Sequence, residues 1–163
     1  MRYHNITKDD MLNGDGLRSV LWLAGCTHQC KNCQNPLTWD INGGLPFDEA
    51  AKNELFDSLK PDYISGVTFS GGDPLHPQNR DEVFALAKEI REKFPNKNIW
   101  LYTGFLWDDF KDNPNIKLID VFVDGEFVEE LKDVNLPWVG SSNQRVIDVQ
   151  ATLNSDDIVL YVS

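Results

Sequence analysis

The chain has 163 residues, 41% hydrophobic and 25% charged, so it can bury one ordinary core, and we expect a single domain spanning residues 1–163. Its 15 Lys and Arg against 26 Asp and Glu give a net charge of -11, and no basic run suits a phosphate backbone, which argues against nucleic acid as a partner. No apolar run of about 18 residues and no signal-peptide core is present, so we expect a cytoplasmic protein without a membrane span.

The predicted strands follow one another at intervals along the chain. A short apolar run at residues 19–25 predicts the first strand, and its end leads directly to Cys26. Three further strands are predicted at 64–69, 98–102 and 119–123, because each segment is rich in β-branched or aromatic residues.

Helical periodicity separates these strands. Apolar residues recur every three or four positions in two segments: Ala51, Leu55 and Leu59, then Val83, Leu86, Ala87, Ile90 and Phe94. A weaker helical stretch ends at Lys111 and Pro114. This alternation predicts an α/β protein with right-handed βα units and a mainly parallel sheet. Because a closed eight-unit barrel takes about 250 residues, we expect a single-domain partial, open βα barrel.

The carboxyl ends of the predicted strands carry the most distinctive loops. These loops are residues 26–33, 70–74, 103–104 and 124–125. Active sites of parallel α/β proteins lie beyond the carboxyl ends of the strands. The sequence therefore predicts one composite site at this edge of the sheet. The tryptophans and phenylalanines are interpreted mainly as core residues, with Trp39 as a candidate exception near the site.

Three cysteines lie within eight residues in the spacing C-x3-C-x2-C: Cys26, Cys30 and Cys33. Disulfide pairing does not account for three such cysteines, and soft thiolates favour zinc, copper(I) or an iron–sulfur cluster. Three thiolates on a four-iron cluster leave one iron open to a small-molecule ligand. The alternative is a structural Cys3His zinc site in an interaction module, with His28, His4 or His76 as the fourth ligand.

The cysteine loop resembles the signature of radical S-adenosylmethionine enzymes. The fuller pattern resembles the activating proteins of anaerobic ribonucleoside-triphosphate reductases. The matching segments are 13–18, 25–33, Asn35, 38–39, 66–75, 100–104, 123–125 and 140–145. The chain departs from the family at Asp15, where proline is frequent, and at Val139, within a segment that usually reads Trp-Arg-Gly-Ser.

The resemblance implies a 4Fe-4S cluster on the three cysteines and S-adenosylmethionine bound beside it. The implied cofactor contacts are Asn32, Cys33, Gln34, Gly71, Gly72, Asp73, Thr103 and Asp124. Asn32 replaces the aromatic residue of many radical enzymes, which leaves backbone contacts from 32–34. Gly71 and Gly72 allow close approach of the backbone, and Asp73 is implied to bind the methionine ammonium. The structural alternative for all these loops is turn formation. If Thr103 and Asp124 do bind a ligand, the ribose of the cofactor, its carboxylate and a cation are all open as that ligand.

The implied activity is reductive cleavage of S-adenosylmethionine to a 5′-deoxyadenosyl radical, which forms a glycyl radical on the partner reductase. The partners are therefore that reductase and an external one-electron donor such as flavodoxin. Activation of another glycyl radical enzyme, or a radical reaction on a small molecule, is the alternative within the same class. The short chain favours a macromolecular substrate that closes over an open site.

Overall fold

The structure is a computed structural model that describes residues 1–26 and 40–162. Within them the strands are β1 (Arg2–Asp10), β2 (Arg18–Leu23), β3 (Leu45–Pro46), β4 (Gly66–Gly71), β5 (Asn98–Tyr102), β6 (Val121–Asp124) and β7 (Arg145–Asp148). The α-helices are α1 (Glu49–Leu59), α2 (Arg80–Lys93), α3 (Trp107–Phe110) and α4 (Val149–Leu153). Short 3-10 helices lie at Ile116–Leu118 and Glu129–Leu131.

The described strands form one mixed sheet in the order β3-β1-β2-β4-β5-β6-β7. The pairings β2–β4, β4–β5 and β5–β6 are parallel, whereas β1–β2, β1–β3 and β6–β7 are antiparallel. The prediction of a mainly parallel sheet is therefore wrong. A short turn returns the chain from β1 to β2, and the long segment after β6 brings β7 back beside it. The partial barrel stays a prediction, because the strand order alone describes an open sheet.

The four parallel strands are the ones predicted from the sequence, each within about two residues of its observed start. They were detectable because they are buried: Val20, Leu21 and Leu23 of β2 are fully inaccessible to solvent. Strand β1 was missed because Ile6 is its only buried residue, and the rest of its sequence is polar or charged. Strand β7 is short, and its two apolar residues give too little alternation to predict a strand.

The helices cover one face of this sheet and form the main core. The predicted apolar stripes are confirmed, since Leu55 and Leu59 of α1 and Ile90 of α2 are fully buried. Helix α1 begins at Asp48, whose carboxylate accepts a hydrogen bond of 2.9 Å from the amide of Ala51. No helix among the described residues has the length and apolar character that a membrane crossing requires.

The opposite face of the sheet has a second, aromatic cluster. Trp100, Val121 and Val123 are buried there, and Trp138 and Tyr161 pack against them from outside the strands. Because side chains alternate along a strand, this face also carries residues such as Trp22 that reach toward the strand ends. This face of the sheet forms the floor of the site described below.

Candidate functional site

Four strands, β2, β4, β5 and β6, run parallel and end at the same edge of the sheet. The chain leaves this edge through Cys26, Gly72, Thr103 and Gly125, respectively. The structure thus brings the predicted loops after all four strands to one edge. The prediction of a composite arrangement is confirmed for the part of these loops that the structure describes.

The loop after β4 is tied to the segment that leads to Cys26. Gly72 donates its amide to the carbonyl of Leu23 at 2.8 Å, and Asp73 donates to the carbonyl of Gly25 at 2.7 Å. Gly71 has φ of 103°, and a Cβ built on it would lie 2.4 Å from the backbone nitrogen of Leu23. Glycine is required at position 71 because two backbones approach each other there.

Cys26 lies three residues beyond β2, is partly exposed and lines the cavity described below. Cys30, Cys33, Asn32 and Gln34 lie outside the described residues, so their roles stay predictions.

The histidines of the zinc alternative are distributed differently. His4 lies on β1, and His76 accepts a hydrogen bond of 3.1 Å from the amide of Gln78 through Nδ1, whereas His28 lies outside the described residues. In residues 1–26 and 40–162, no group of three or more His, Cys, Asp and Glu side chains is arranged to hold a metal ion.

The carboxylate of Asp73 is fully buried and joins two of the loops. The hydroxyl of Thr103 lies 2.8 Å from Oδ1, the amide of Leu75 donates to Oδ1 at 2.9 Å, and the amide of Gly104 donates to Oδ2 at 3.0 Å. Asp73 therefore fixes the loop after β5 against the loop after β4. Its implied contact with the ammonium group of a cofactor stays a prediction.

The carboxylate of Asp124 is also fully buried, but it belongs to a separate network. Its Oδ2 accepts the amide of Trp107 at the start of α3, and Arg145 binds both carboxylate oxygens. The hydrogen bonds from Arg145 to Asp124 raise the pKa of the guanidinium. Asp124 thus anchors α3 and β7 to the end of β6, whereas Thr103 is bonded to Asp73. A direct contact of Asp124 with a cofactor stays a prediction.

A cavity of about 650 Å³ opens at this edge of the sheet. On one side it is lined by Cys26, Gly71 and Gly72, and on the other by residues of the segment after β6. Trp22, Ser70 and Thr103 of the strand ends also contribute to the wall. Its volume lies within the range of small-molecule and cofactor sites, about 300 to 1,000 Å³.

The electrostatic character of the cavity is distinctive. Within the described residues, Glu126 contributes the one carboxylate of the lining, and no Lys or Arg side chain lines it. Recognition of phosphates generally depends on cations or on backbone amides at helix N-termini. The neutral, aromatic part of the described lining suits a ligand with an apolar or aromatic part, and aromatic faces also attract positive charge.

Arg18 is fully buried at the opposite end of this face and organises the turn between β1 and β2. Its guanidinium donates to the Thr68 hydroxyl and the Val67 carbonyl, both at 2.8 Å, and to the Asp15 carbonyl at 2.9 Å. It also lies 5.3 Å from the ring centroid of Trp100. Burial lowers the pKa of Arg18 to about 10. The segment 13–18 is thus folded around Arg18, and its first residue lines the cavity.

The sequence interpretation missed the aromatic residues of the cavity. Trp22, Phe127 and Trp138 all line it, although tryptophans and phenylalanines were assigned mainly to the core. Trp39, the predicted exception, lies outside the described residues. Side chains alternate along β2, so Trp22 lies on the face opposite to the core residues Leu21 and Leu23. This alternation could have been used to predict that Trp22 lies outside the main core. No comparable pattern marks Trp138, which lies in an irregular segment.

Comparison with known families agrees with this geometry. Residues 12–147 match the family model described as "4Fe-4S single cluster domain". The match covers the turn after β1, the cysteine loop, all four parallel strands and most of β7. The fold and site therefore define a protein of the single-cluster 4Fe-4S class.

Curated relatives narrow this class. The chain is 43% identical over 150 residues to the anaerobic ribonucleoside-triphosphate reductase-activating protein of Escherichia coli (strain K12), covering 90% of this chain and 97% of that protein. The protein of the same name from Enterobacteria phage T4 is 42% identical over 146 residues, covering 90% and 93%. That of Haemophilus influenzae is 38% identical over 148 residues, covering 88% and 96%. The chain belongs to the family of anaerobic ribonucleoside-triphosphate reductase-activating proteins.

Proposed function

We propose that this protein activates an anaerobic ribonucleoside-triphosphate reductase by reductive cleavage of S-adenosylmethionine at a 4Fe-4S cluster. The observation that carries the proposal is the position of Cys26, the first residue of the C-x3-C-x2-C loop, in the wall of a cofactor-sized cavity. Cys26 would therefore hold a metal beside a cavity that has room for a second ligand. The relatives are named as activating proteins of anaerobic ribonucleoside-triphosphate reductases, which supports such a reductase as the partner.

The thiolates of Cys26, Cys30 and Cys33 are the residues that would hold the cluster, since soft sulfur ligands suit iron–sulfur centres. When bound and reduced, the cluster would supply one electron for cleavage of S-adenosylmethionine to methionine and a 5′-deoxyadenosyl radical, and that radical would take a hydrogen atom from a reductase glycine. An external one-electron donor, such as flavodoxin, has to provide that electron. These requirements favour a reducing compartment, and we propose the cytoplasm.

The chain's own residues position the ligand and restrict its movement. The backbone at Gly71 and Gly72 lies in the cavity wall beside Cys26, where it can bind the amino acid part of the cofactor closely. Thr103 lies in the same wall, with its hydroxyl held by Asp73. The backbone of residues 32–34 is expected to contribute further contacts. We propose that Asp73 and Asp124 act chiefly by holding these loops in place.

The charge of the cavity supports S-adenosylmethionine over a nucleoside triphosphate as its ligand. S-adenosylmethionine carries a sulfonium cation and an ammonium group, whereas a triphosphate needs several positive partners. The described lining offers aromatic rings and Glu126 and no Lys or Arg. Cations are attracted to aromatic faces, so the aromatic part of the described lining favours the sulfonium compound.

The cavity is open, which suits a macromolecular substrate. Met11 and Leu12 line it and are nevertheless 68% and 80% exposed, so the β1–β2 turn forms part of its mouth. Hydrogen transfer requires reacting atoms about 3 to 3.5 Å apart. A glycine loop of the reductase therefore has to enter through this mouth, and the partner covers the exposed apolar turn.

Anaerobic reconstitution with iron and sulfide tests the proposal. The protein is reduced in the presence of S-adenosylmethionine and an anaerobic ribonucleoside-triphosphate reductase, and electron paramagnetic resonance records the reductase. We expect a glycyl radical signal together with stoichiometric methionine and 5′-deoxyadenosine. A triple Cys26→Ala, Cys30→Ala, Cys33→Ala variant is the control and is expected to give neither. A colourless wild-type protein with stoichiometric zinc and no radical would refute the proposal and support the interaction module.

A further inference from the structure

We infer that the indole ring of Trp138 is the platform on which the adenine ring of the bound cofactor packs. This inference rests on the proposed function, because it assumes S-adenosylmethionine as the ligand of the cavity. It assigns a binding role to a tryptophan in the segment between β6 and β7, whereas the sequence analysis interpreted the tryptophans, apart from Trp39, mainly as core residues. The class of ligand that it specifies is a purine nucleoside.

The backbone of Trp138 has a conformation that disfavours most residues. Its φ is 66°, in the left-handed region that bulky residues rarely adopt, and Asp9 is the other non-glycine residue with positive φ among those described. The surrounding turn holds this geometry, because Gly140 donates its amide to the side chain of Gln144 at 2.9 Å. The Asp133 amide donates to the Gly140 carbonyl at 3.2 Å. The fold thus maintains an unfavourable backbone in order to place this side chain.

The indole ring is fixed by two other rings. Trp138 contacts Trp100 edge to face, with centroids 5.2 Å apart, and Tyr161 at 5.8 Å. Trp100 and Tyr161 contact each other at 5.1 Å, so the three rings support one another. Trp138 is only partly buried and lines the cavity. A rigid aromatic surface in a cavity wall loses little conformational freedom when a flat ligand ring packs on it.

The two ends of the cavity differ in what they can bind. The end formed by Cys26, Gly71 and Gly72 follows β2 and β4, and under the proposed function the amino acid part of the ligand would bind there. Trp138 packs over β5 and β6, which are the next strands of the sheet. Neighbouring strands lie about 4.8 Å apart, so the distance from β2 to β6 is roughly 14 Å along a flat sheet. The nucleoside part of the ligand therefore extends toward Trp138.

Affinities of ligand fragments test this assignment. The reconstituted, cluster-loaded protein and its Trp138→Leu and Trp138→Phe variants are titrated with S-adenosylmethionine, 5′-deoxyadenosine and methionine by anaerobic calorimetry. Stacking of a base on an aromatic residue corresponds to about 5- to 150-fold in affinity. We expect Trp138→Leu to lose affinity within this range for both adenosine compounds. Methionine affinity should change less than twofold, and Trp138→Phe should retain most of the binding.

A tryptophan on the other face is the matched control. Trp107 is buried against Phe122 among the helices and does not line the cavity, so Trp107→Phe should keep wild-type affinity for all three ligands. Wild-type affinity of Trp138→Leu for the adenosine compounds would overturn the inference. An equal loss of methionine and adenosine binding would also overturn it, because the indole ring of Trp138 would then maintain the structure of the cavity as a whole and not bind adenine specifically. Failure of the wild-type protein itself to bind S-adenosylmethionine would instead refute the proposed function.

Discussion

The carboxylate of Asp73 and the hydroxyl of Thr103 form a buried hydrogen bond of 2.8 Å between the loops that follow β4 and β5. Both residues were predicted as cofactor contacts, and here they bind each other. The amides of Leu75 and Gly104 also donate to Asp73, so one side chain satisfies three donors. The position of the cavity wall therefore depends on this carboxylate.

Replacement of Asp73 by alanine should destabilise the protein strongly. The change leaves three buried donors without their acceptor, at about 1 kcal/mol or more each, so the free energy of unfolding should fall by about 3 kcal/mol. Thr103→Val removes one of these bonds and should cost about 1 kcal/mol. Urea unfolding of the cluster-free protein, followed by circular dichroism, measures both.

The same Asp73→Ala variant should bind S-adenosylmethionine more weakly, since the loops beside Cys26 lose their cross-link. Asp48→Ala is the control, because it removes the N-cap of α1 and should cost about 1 kcal/mol without changing affinity. Unchanged stability of Asp73→Ala with a large loss of affinity would show instead that Asp73 acts directly on the ligand.

Gly71 and Gly125 form a matched pair for testing the close approach of the backbone. Both have positive φ, 103° and 98°, so alanine is strained at either position. At Gly125 the nearest atom to an added Cβ is 3.6 Å away, whereas at Gly71 the backbone of Leu23 lies at 2.4 Å. Gly125→Ala should cost about 1 to 2 kcal/mol, and Gly71→Ala should cost more and weaken cofactor binding. Equal stabilities of the two variants would contradict this explanation.

Substitution of the cysteines tests the cluster ligands one by one. Alanine at Cys26, Cys30 or Cys33 removes one of three thiolates, so most of the iron and sulfide and all activation should be lost. Metal analysis and the visible absorption of reconstituted protein measure this. Folding should be checked by far-ultraviolet circular dichroism, which is expected to stay close to wild type. A variant with a full cluster and normal activation would exclude that cysteine as a ligand.

The buried parallel strands could be predicted from the sequence because they are rich in β-branched, aromatic and other apolar residues. Residues 98–102 illustrate this, since the predicted and observed bounds of β5 are the same. The antiparallel strands β1 and β7 could not be predicted in this way. Most of β1 is not buried and β7 is short, so neither strand shows a clear pattern of apolar residues. Whether the outer strands run parallel or antiparallel depends on the turns that precede them. These turns have no hydrophobic periodicity, so the mixed sheet could not be predicted.

The edge that carries the site was predictable for a related reason. Loops after parallel strands meet wherever the strands pair, so the strand prediction alone placed Cys26 near Gly71 and Thr103. The partners of individual side chains were not predictable. The ion pair between Asp124 and Arg145 joins residues 21 positions apart across β6 and β7, and β7 was absent from the prediction.

Arg18 should be replaceable neither by an apolar residue nor by lysine. Arg18→Met removes the buried guanidinium that donates to the Thr68 hydroxyl and to the carbonyls of Val67 and Asp15, and it should cost about 3 to 5 kcal/mol. Lysine lacks the planar fork that reaches Thr68 and two carbonyls together, so Arg18→Lys should restore little of this. Arg91→Met removes a pair with Asp120 whose side chains are 27% and 23% exposed, and it should cost about 1 kcal/mol. Thermal unfolding of the four proteins provides the comparison.

The proposed docking surface for the reductase surrounds the mouth of the cavity. Segments 13–18 and 140–145 match the activating-protein family and were candidates for this surface, but Arg18 is buried and Arg145 is bonded to Asp124. The exposed apolar side chain nearest to the first segment is Leu12, which lies at the cavity mouth.

Leu12→Glu adds charge where an apolar surface is to be covered, so activation of the reductase should fall at least tenfold, equivalent to about 1.4 kcal/mol of binding. Partner-independent cleavage of S-adenosylmethionine should stay within twofold of wild type, because Leu12 is 80% exposed and its change leaves the core intact. Tyr63→Glu is the control, since Tyr63 is 62% exposed and does not line the cavity. Both rates are measured on the same reconstituted samples, so that a damaged cluster depresses them together. Normal activation by Leu12→Glu, or an equal loss in Tyr63→Glu, would place the partner surface elsewhere.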